Sequence, residues 1–332
     1  MNERAVCARR GDCLLKLSVC PQPLYKLGLE DALAFMAKLG AHAFELPVDK
    51  SSPLVDLDQL LSGGAGALKR QVTSYGLEIS AISNHREGQL LLGPHHRDTD
   101  AIQPGTPEEK TAFAEERLIK TARLAAELEV NLVVGFVGCE DYSRFFPWPD
   151  PEGWESMIPA FQERVGRLLD TFDSLGVFFA DEPHPKQIVY NTETALESLD
   201  ILDRHPRWGF NLDPANLLLA GVDPVIFVRE LGDRILHVHA KDGELVRHNA
   251  ARSGLLAHGA WDRPDRGFRF RVPGWGDVPW KRLISELTLA GYDGYIAIEN
   301  EDPVFGPLDG LRKGVAEIRP LLPEGERAER WW

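Results

Sequence analysis

Cysteine is scarce in this chain: Cys7, Cys13, Cys20 and Cys139 are four in 332 residues, with no CxxC pair and no dense spacing. That excludes a thiolate zinc module and a disulfide scaffold, and the thiols read as reduced in a cytoplasm. Long apolar runs are missing as well. The first, residues 14–20, is far too short for a membrane span; Arg4, Arg9 and Arg10 precede it, but a secretory leader needs a longer apolar region and a clear cleavage site. Residues 1–12 are expected to be an N-terminal tail, 13–323 one catalytic domain, and 324–332, ending in Trp331-Trp332, a C-terminal tail. Positive charge is in deficit, since 37 Lys and Arg face 51 Asp and Glu for a net −14. Such a field repels polyanions and argues against a nucleic-acid partner. Low-complexity segments and linkers are also absent.

The composition that remains, 43% hydrophobic and 27% charged, is that of an ordinary globular protein. Its short apolar runs recur, each ahead of a helical pattern. Runs 14–20, 41–46, 77–83 and 131–137 precede helical stretches 29–39, 57–75, 107–128 and 154–175. Runs 177–181, 208–212, 234–239 and 294–298 precede 192–204, 224–231, 280–290 and 308–322. Eight such units predict an α/β protein, a single (β/α)8 TIM barrel, because parallel strands need helical crossovers. Glycines 40, 76, 176 and 291 mark the helix ends, where a left-handed residue closes the last turn. The strand-to-helix loops at 84–106, 136–153 and 240–276 are long, which predicts an enclosed pocket on the carboxyl rim with the last loop as a lid.

Four strands end on residues that bind divalent metals. Phe178-Phe179-Ala180-Asp181-Glu182 ends on carboxylates, Phe210-Asn211-Leu212-Asp213 on another, Ile235-Leu236-His237-Val238-His239 on an imidazole, and Tyr295-Ile296-Ala297-Ile298-Glu299 on a third carboxylate. Alternation along a strand sends Glu299 inward opposite the isoleucines, puts His237 and His239 on one inward face, and favours Glu182 over Asp181. Three carboxylates and one imidazole suit Mn, Co, Mg, Fe or Zn, manganese first among them, rather than a thiolate-selected metal. Such an ion can hold a hydroxyl and a carbonyl of a sugar and acidify the hydrogen beside them, while two carboxylates serve as base and acid.

These stretches carry a family resemblance. Glu182-Pro183-His184-Pro185, Asn211-Leu212-Asp213-Pro214, His237-Val238-His239-Ala240-Lys241-Asp242, Gly274-Trp275-Gly276-Asp277-Val278-Pro279-Trp280 and Ile298-Glu299 resemble the sugar phosphate isomerase/epimerase family, the xylose-isomerase-like barrels. Phe44-Glu45-Leu46-Pro47 and Ser83-Asn84-His85-Arg86-Glu87-Gly88-Gln89 are similar to the same group. The resemblance implies that Glu182, Asp213, His239 and Glu299 hold the metal, and that Glu182 and Glu299 are the catalytic pair. Two departures stand out: Asn216 sits where members often have a histidine, and Pro183 follows the first ligand.

Around that centre, Glu45 and His85 end strands two and three on the same rim and are candidates to bind sugar hydroxyls, as is His184. Asn84 is a weaker candidate. Of the cations in the seventh loop, Lys241, Arg252, Arg269 and Arg271, the two nearest the motifs, Lys241 and Arg271, are candidates to neutralise an enediolate or an anionic group. Asp242 is read either as a partner orienting His239 or as a loop-ordering group. Phe145, Phe146, Trp148 and Trp261 either wall a sugar pocket or pack elsewhere. The expected function is a metal-dependent sugar isomerase or epimerase acting through a metal-held enediolate on a small-molecule substrate, cytoplasmic, not membrane-bound, with a homo-oligomer admitted. Rival readings are a lyase or dehydratase acting by β-elimination, an abasic-site endonuclease-like phosphodiesterase, and a non-catalytic sugar-binding module.

Overall fold

In the computed structural model, which describes residues 15–323, parallel strands wrap around an axis in chain order. They are β1 Lys16–Val19, β2 Ala43–Pro47, β3 Glu78–Asn84, β4 Leu132–Gly135, β5 Phe178–Asp181, β6 Trp208–Leu212, β7 Ile235–Ala240 and, after a hairpin of β8 Asp242–Leu245 and β9 Phe268–Arg271, β10 Tyr295–Ile298. The barrel order β1-β10-β7-β6-β5-β4-β3-β2 leaves one seam, between β1 and β2. There a side chain takes over part of the ladder: the Leu17 amide donates to His42 Nδ1 (3.1 Å), and the His42 amide donates to the Leu17 carbonyl (2.9 Å). The two tails, with Cys7, Trp331 and Trp332, lie outside the described residues, as does Cys13.

The helices are α1 Leu29–Lys38, α2 Leu57–Gln59, α3 Ala65–Ser74, α4 His85–Gly88, α5 Pro107–Leu128 and α6 Ile158–Ser174. They continue with α7 Thr192–Ile201, α8 Pro214–Leu219, α9 Pro224–Leu231, α10 Arg247–Ser253, α11 Trp280–Leu289 and α12 Pro307–Ile318. Thr106 and Glu109 form a reciprocal capping box that opens α5, with Pro107 at the first turn, where its missing N–H costs nothing. The expected single helix over 57–75 is instead broken between α2 and α3. Ser62-Gly63-Gly64 supplies too little helix preference there, and Gly63 turns to φ 107°. All four glycines expected at helix ends, 40, 76, 176 and 291, have positive φ.

One large apolar layer lies between sheet and helices, containing Leu17, Phe44, Phe179, Phe210, Ile296 and Ile298. The bore is narrower and holds a small cluster, Ala81, Leu132, Val134 and Ala180, with Phe178 and Leu236 against it. Strict alternation fails in two strands. Register shifts pair Phe44 and Glu45 with Ile79 and Ala81, and Phe210 and Asn211 with Ile235 and His237. The extra residue in β7 turns Leu236 to the bore beside His237, while Ile235 joins the outer layer. His237 and His239 thus share the bore, but Ile235 does not share their face.

Candidate metal centre

The upper bore is lined by the polar inward residues that alternation leaves above the alanine floor. Glu182 follows β5 on the face of Ala180, and Asp181 takes the opposite face. Asp213 caps α8, accepting from the amides of Ala215 (2.9 Å) and Asn216 (3.3 Å), so helix start and site share one carboxylate. His239 is the hub. Its Nε2 lies 2.7 Å from Glu45 Oε2, and its Nδ1 lies 3.0 Å from Glu182 Oε2 and 3.1 Å from Glu299 Oε2. Donor atoms of Asp213, His239 and Glu299, and of His85, Glu182 and His239, come within 4.8 Å of one another.

Glu45 decides the tautomer. An ionised carboxylate only accepts, so the imidazole proton belongs on Nε2, and Nδ1 then faces Glu182 and Glu299 as a third acceptor. Three acceptors turned on one another at such distances, with Nδ1 buried and unbonded, form a cradle for a cation. Without an ion, a proton fills it: burial opposes charging His239, but Glu45, Glu182 and Glu299 hold its pKa well above the ordinary value. Burial likewise works against the charge of Glu45 and Glu182, yet the facing imidazole keeps both well below the carboxylate range. A divalent ion would displace that proton, as metal and proton compete for the same lone pair. Cys20 also lies near His239 and Glu45, and burial pushes its thiol far up, which keeps it neutral in the metal-free site.

The carboxylates are held apart by amides. Asn216 Nδ2 donates to Glu182 Oε1 and to Asp213 Oδ2, both at 2.7 Å, and Asn211 Nδ2 donates to Glu182 Oε2 at 2.7 Å. Asn216, conspicuous in the sequence only as a departure, therefore ties two proposed ligands together. Lys241, buried, lies 2.7 Å from Asp213 Oδ2 and 3.1 Å from Glu299 Oε2. Burial opposes its charge, and the surrounding carboxylates more than restore it. Burial and the neighbouring glutamates push Asp213 up to about 7 against the pull of Lys241.

Other candidates fall differently. His85 stands 3.1 Å from Glu182 Oε2 on the wall of a cavity of about 950 Å³, with His184, Lys241, Glu299 and Glu182. Burial lowers His184 to about 4, which keeps its ring neutral. Glu45 is not on that wall: it is fully buried beneath His239, with His237 Nε2 3.2 Å away. Arg271 also leaves the wall, because Glu244 (2.6 Å) and Asp302 (3.0 Å) tie it to the hairpin side. Arg266 lines the cavity instead, a position that only the length of its loop foreshadows in the sequence. Asn84 donates to Glu87 and Thr121 behind the sheet. Asp242 orders the loop: it accepts from the amides of Gly243, Gly274 and Val278 and from Trp280 Nε1, at 2.7 to 3.0 Å. Gly276 is required there, since a Cβ would sit 2.3 Å from Asp242 Oδ1. Trp261 walls the cavity with Phe136, Tyr142 and Phe270, while Phe146 and Trp148 are exposed outside it.

The family described as Xylose isomerase-like TIM barrel matches residues 33–321. Over 330 residues the chain is 31% identical to the uncharacterized protein YfiH of Bacillus subtilis (strain 168), covering 93% of this chain and 100% of that one. Inosose dehydratase of Lacticaseibacillus casei is 35% identical over 151 residues, 45% of this chain and 48% of the enzyme. Among solved structures, the 3-keto-D-glucoside 4-epimerase YcjR of E. coli superimposes with a TM-score of 0.67 at 15% identity, over 92% of this chain and 99% of that one. The relatives named for an enzymatic activity include a dehydratase and an epimerase. No helix among the described residues is long and apolar enough to cross a membrane.

Proposed function

Because the chain belongs to the xylose isomerase-like TIM barrel family, we propose that it is a divalent-metal-dependent isomerase or epimerase that moves a proton beside the carbonyl of a sugar or keto-sugar. The observation that carries this reading is the buried cradle of His239 Nδ1, Glu182 Oε2 and Glu299 Oε2, with Glu45 fixing the tautomer from behind. With manganese or a similar ion held by Glu182, Asp213, His239 and Glu299, the site would gain a Lewis acid that polarises adjacent sugar oxygens and acidifies the C–H beside them.

The chain's own groups do the rest. One of Glu182 and Glu299 takes the proton from the carbon next to the carbonyl, and the C–H electrons move onto the carbonyl oxygen as an enediolate. The other carboxylate relays a proton from solvent to the enediolate from its own side. Lys241 keeps a positive charge 3.1 Å from Glu299 and offsets the enediolate charge. His85 and His184 stand on the cavity wall within reach of hydroxyls. The 35% identity with an inosose dehydratase supports a second reading. In it, the same abstraction is followed by loss of a hydroxyl or substituent from the next carbon.

The test is mass spectrometry of a panel of ketoses and keto-glycosides incubated with the protein in heavy water. The expected result is one solvent deuterium in the recovered sugar, abolished by chelation and restored by manganese. Glu182→Gln and Glu299→Gln should each lower turnover by about 10²–10⁴-fold. Full turnover by both variants with metal bound would sink the proposal. A product with a new double bond selects the lyase reading.

A further inference from the structure

Four lysine and arginine side chains are buried among the described residues: Lys110, Arg117, Lys241 and Arg266. Three have carboxylates beside them, Asp100 at 2.6 Å from Lys110, Glu87 at 2.7 Å from Arg117, and Asp213 at 2.7 Å from Lys241. Arg266, 3% exposed, has none. Its Nη1 donates to the carbonyls of His258 (3.4 Å), Gly259 (3.0 Å) and Ala260 (3.4 Å), its guanidinium lies 4.2 Å from the Trp261 ring centroid, and its Nε is buried without a partner. Arg263 next to it is occupied by Asp265 at 2.7 Å. A buried charge without a counter-charge is costly, and an arginine fork is shaped for a carboxylate or phosphate.

Arg266 lines the cavity that holds Glu182, Glu299 and Lys241. One wall connects them. Lys241 Nζ stands 5.0 Å from the Phe270 ring, Phe270 and Trp261 have centroids 5.1 Å apart, and Trp261 carries Arg266. Two aromatic rings therefore stand between Lys241 and a guanidinium that has no carboxylate beside it. The cavity is also larger than a simple sugar. Even at the ~30 Å³ that a water molecule occupies in the liquid, the twelve non-hydrogen atoms of a hexose fill only ~360 Å³. Against about 950 Å³, that leaves space for a second ring-sized group.

Building on the reaction proposed above, we infer that the substrate is a sugar conjugate whose far end is a carboxylate received by Arg266, with the connecting group laid along Phe270 and Trp261. A carboxylate is favoured over a phosphate because one guanidinium in an aromatic surround balances a single negative charge. Sugar and acid are then read at opposite ends of one cavity.

The test is titration calorimetry of the full chain with phenyl β-D-glucoside, its 4-carboxyphenyl counterpart and the 4-phosphonooxyphenyl counterpart, with manganese and after chelation. The wild type is expected to bind the carboxylate probe at least tenfold more tightly than the neutral one. Arg266→Gln should bring that ratio below twofold, and Arg266→Lys, which keeps the charge and loses the fork, should bring it to an intermediate value. Equal affinities in the wild type, no binding of the carboxylate probe, a ratio that survives in a folded Arg266→Gln or is unchanged in Arg266→Lys, or tighter binding of the phosphate probe each overturn the assignment. A preference that persists after chelation, in a protein that exchanges no deuterium into any keto-sugar, overturns the reaction and leaves Arg266 standing. Metal-dependent exchange without the preference does the reverse.

Discussion

At the residue scale, His239 has two working faces. Nδ1 meets Glu182 and Glu299, and Nε2 meets Glu45. Groups that orient a ligating imidazole influence affinity as the ligands do, so Glu45→Gln is expected to weaken manganese binding 10–100-fold, read by calorimetric titration, while the protein stays folded. Glu45 was legible as a carboxylate in the second strand, but its meeting with His239 was not, because 194 residues separate the two in the chain. Asn216 shows the opposite case. The sequence singled it out, and only the structure gives it work, two 2.7 Å bonds to Glu182 and Asp213. Asn216→Leu should lower the stability of metal-free protein by about 1–3 kcal/mol in urea unfolding, since buried carboxylates lose their donor, and added manganese should recover part of the loss.

At the element scale, strands and helices were readable because each apolar run is bounded by glycine, proline or a cap. What escaped notice was local irregularity. The bulge in β7 shifts the phase by one residue between Ile235 and His237, a feature that hydrophobic alternation cannot mark when Leu and Ile are neighbours. The β8–β9 hairpin left a trace, the Phe268-Arg269-Phe270-Arg271 alternation, but it lay within a loop rich in glycine and charge. Asp242 binds that hairpin to the Gly274–Trp280 motif through three donors, the Gly274 and Val278 amides and Trp280 Nε1. Asp242→Ala is therefore expected to make the 246–267 segment the first site of limited proteolysis while the barrel remains folded. At the seam, His42→Ala removes the acceptor of the Leu17 amide and should cost about 1 kcal/mol, measured by chemical unfolding.

At the scale of the whole molecule, a chain of net charge −14 gathers Glu45, Glu182, Asp213 and Glu299 into one buried region, relieved by Lys241 and a protonated His239. A bound divalent ion would take over that relief, so the fold and the chemistry depend on the same ligand. At a metal concentration one hundred times the Kd, the gain is about 2.7 kcal/mol. Chelation should then lower Tm by roughly 5 °C, and manganese should restore it, as read by differential scanning fluorimetry. The measurement that tests the central claim most directly is the metal content of the purified, dialysed protein beside Glu299→Gln and His239→Ala. One tightly held divalent ion per chain in the wild type, and much less in each folded variant, is the predicted result. Wild-type protein that binds no divalent ion when manganese is supplied, or variants that hold a full equivalent as tightly, would contradict it.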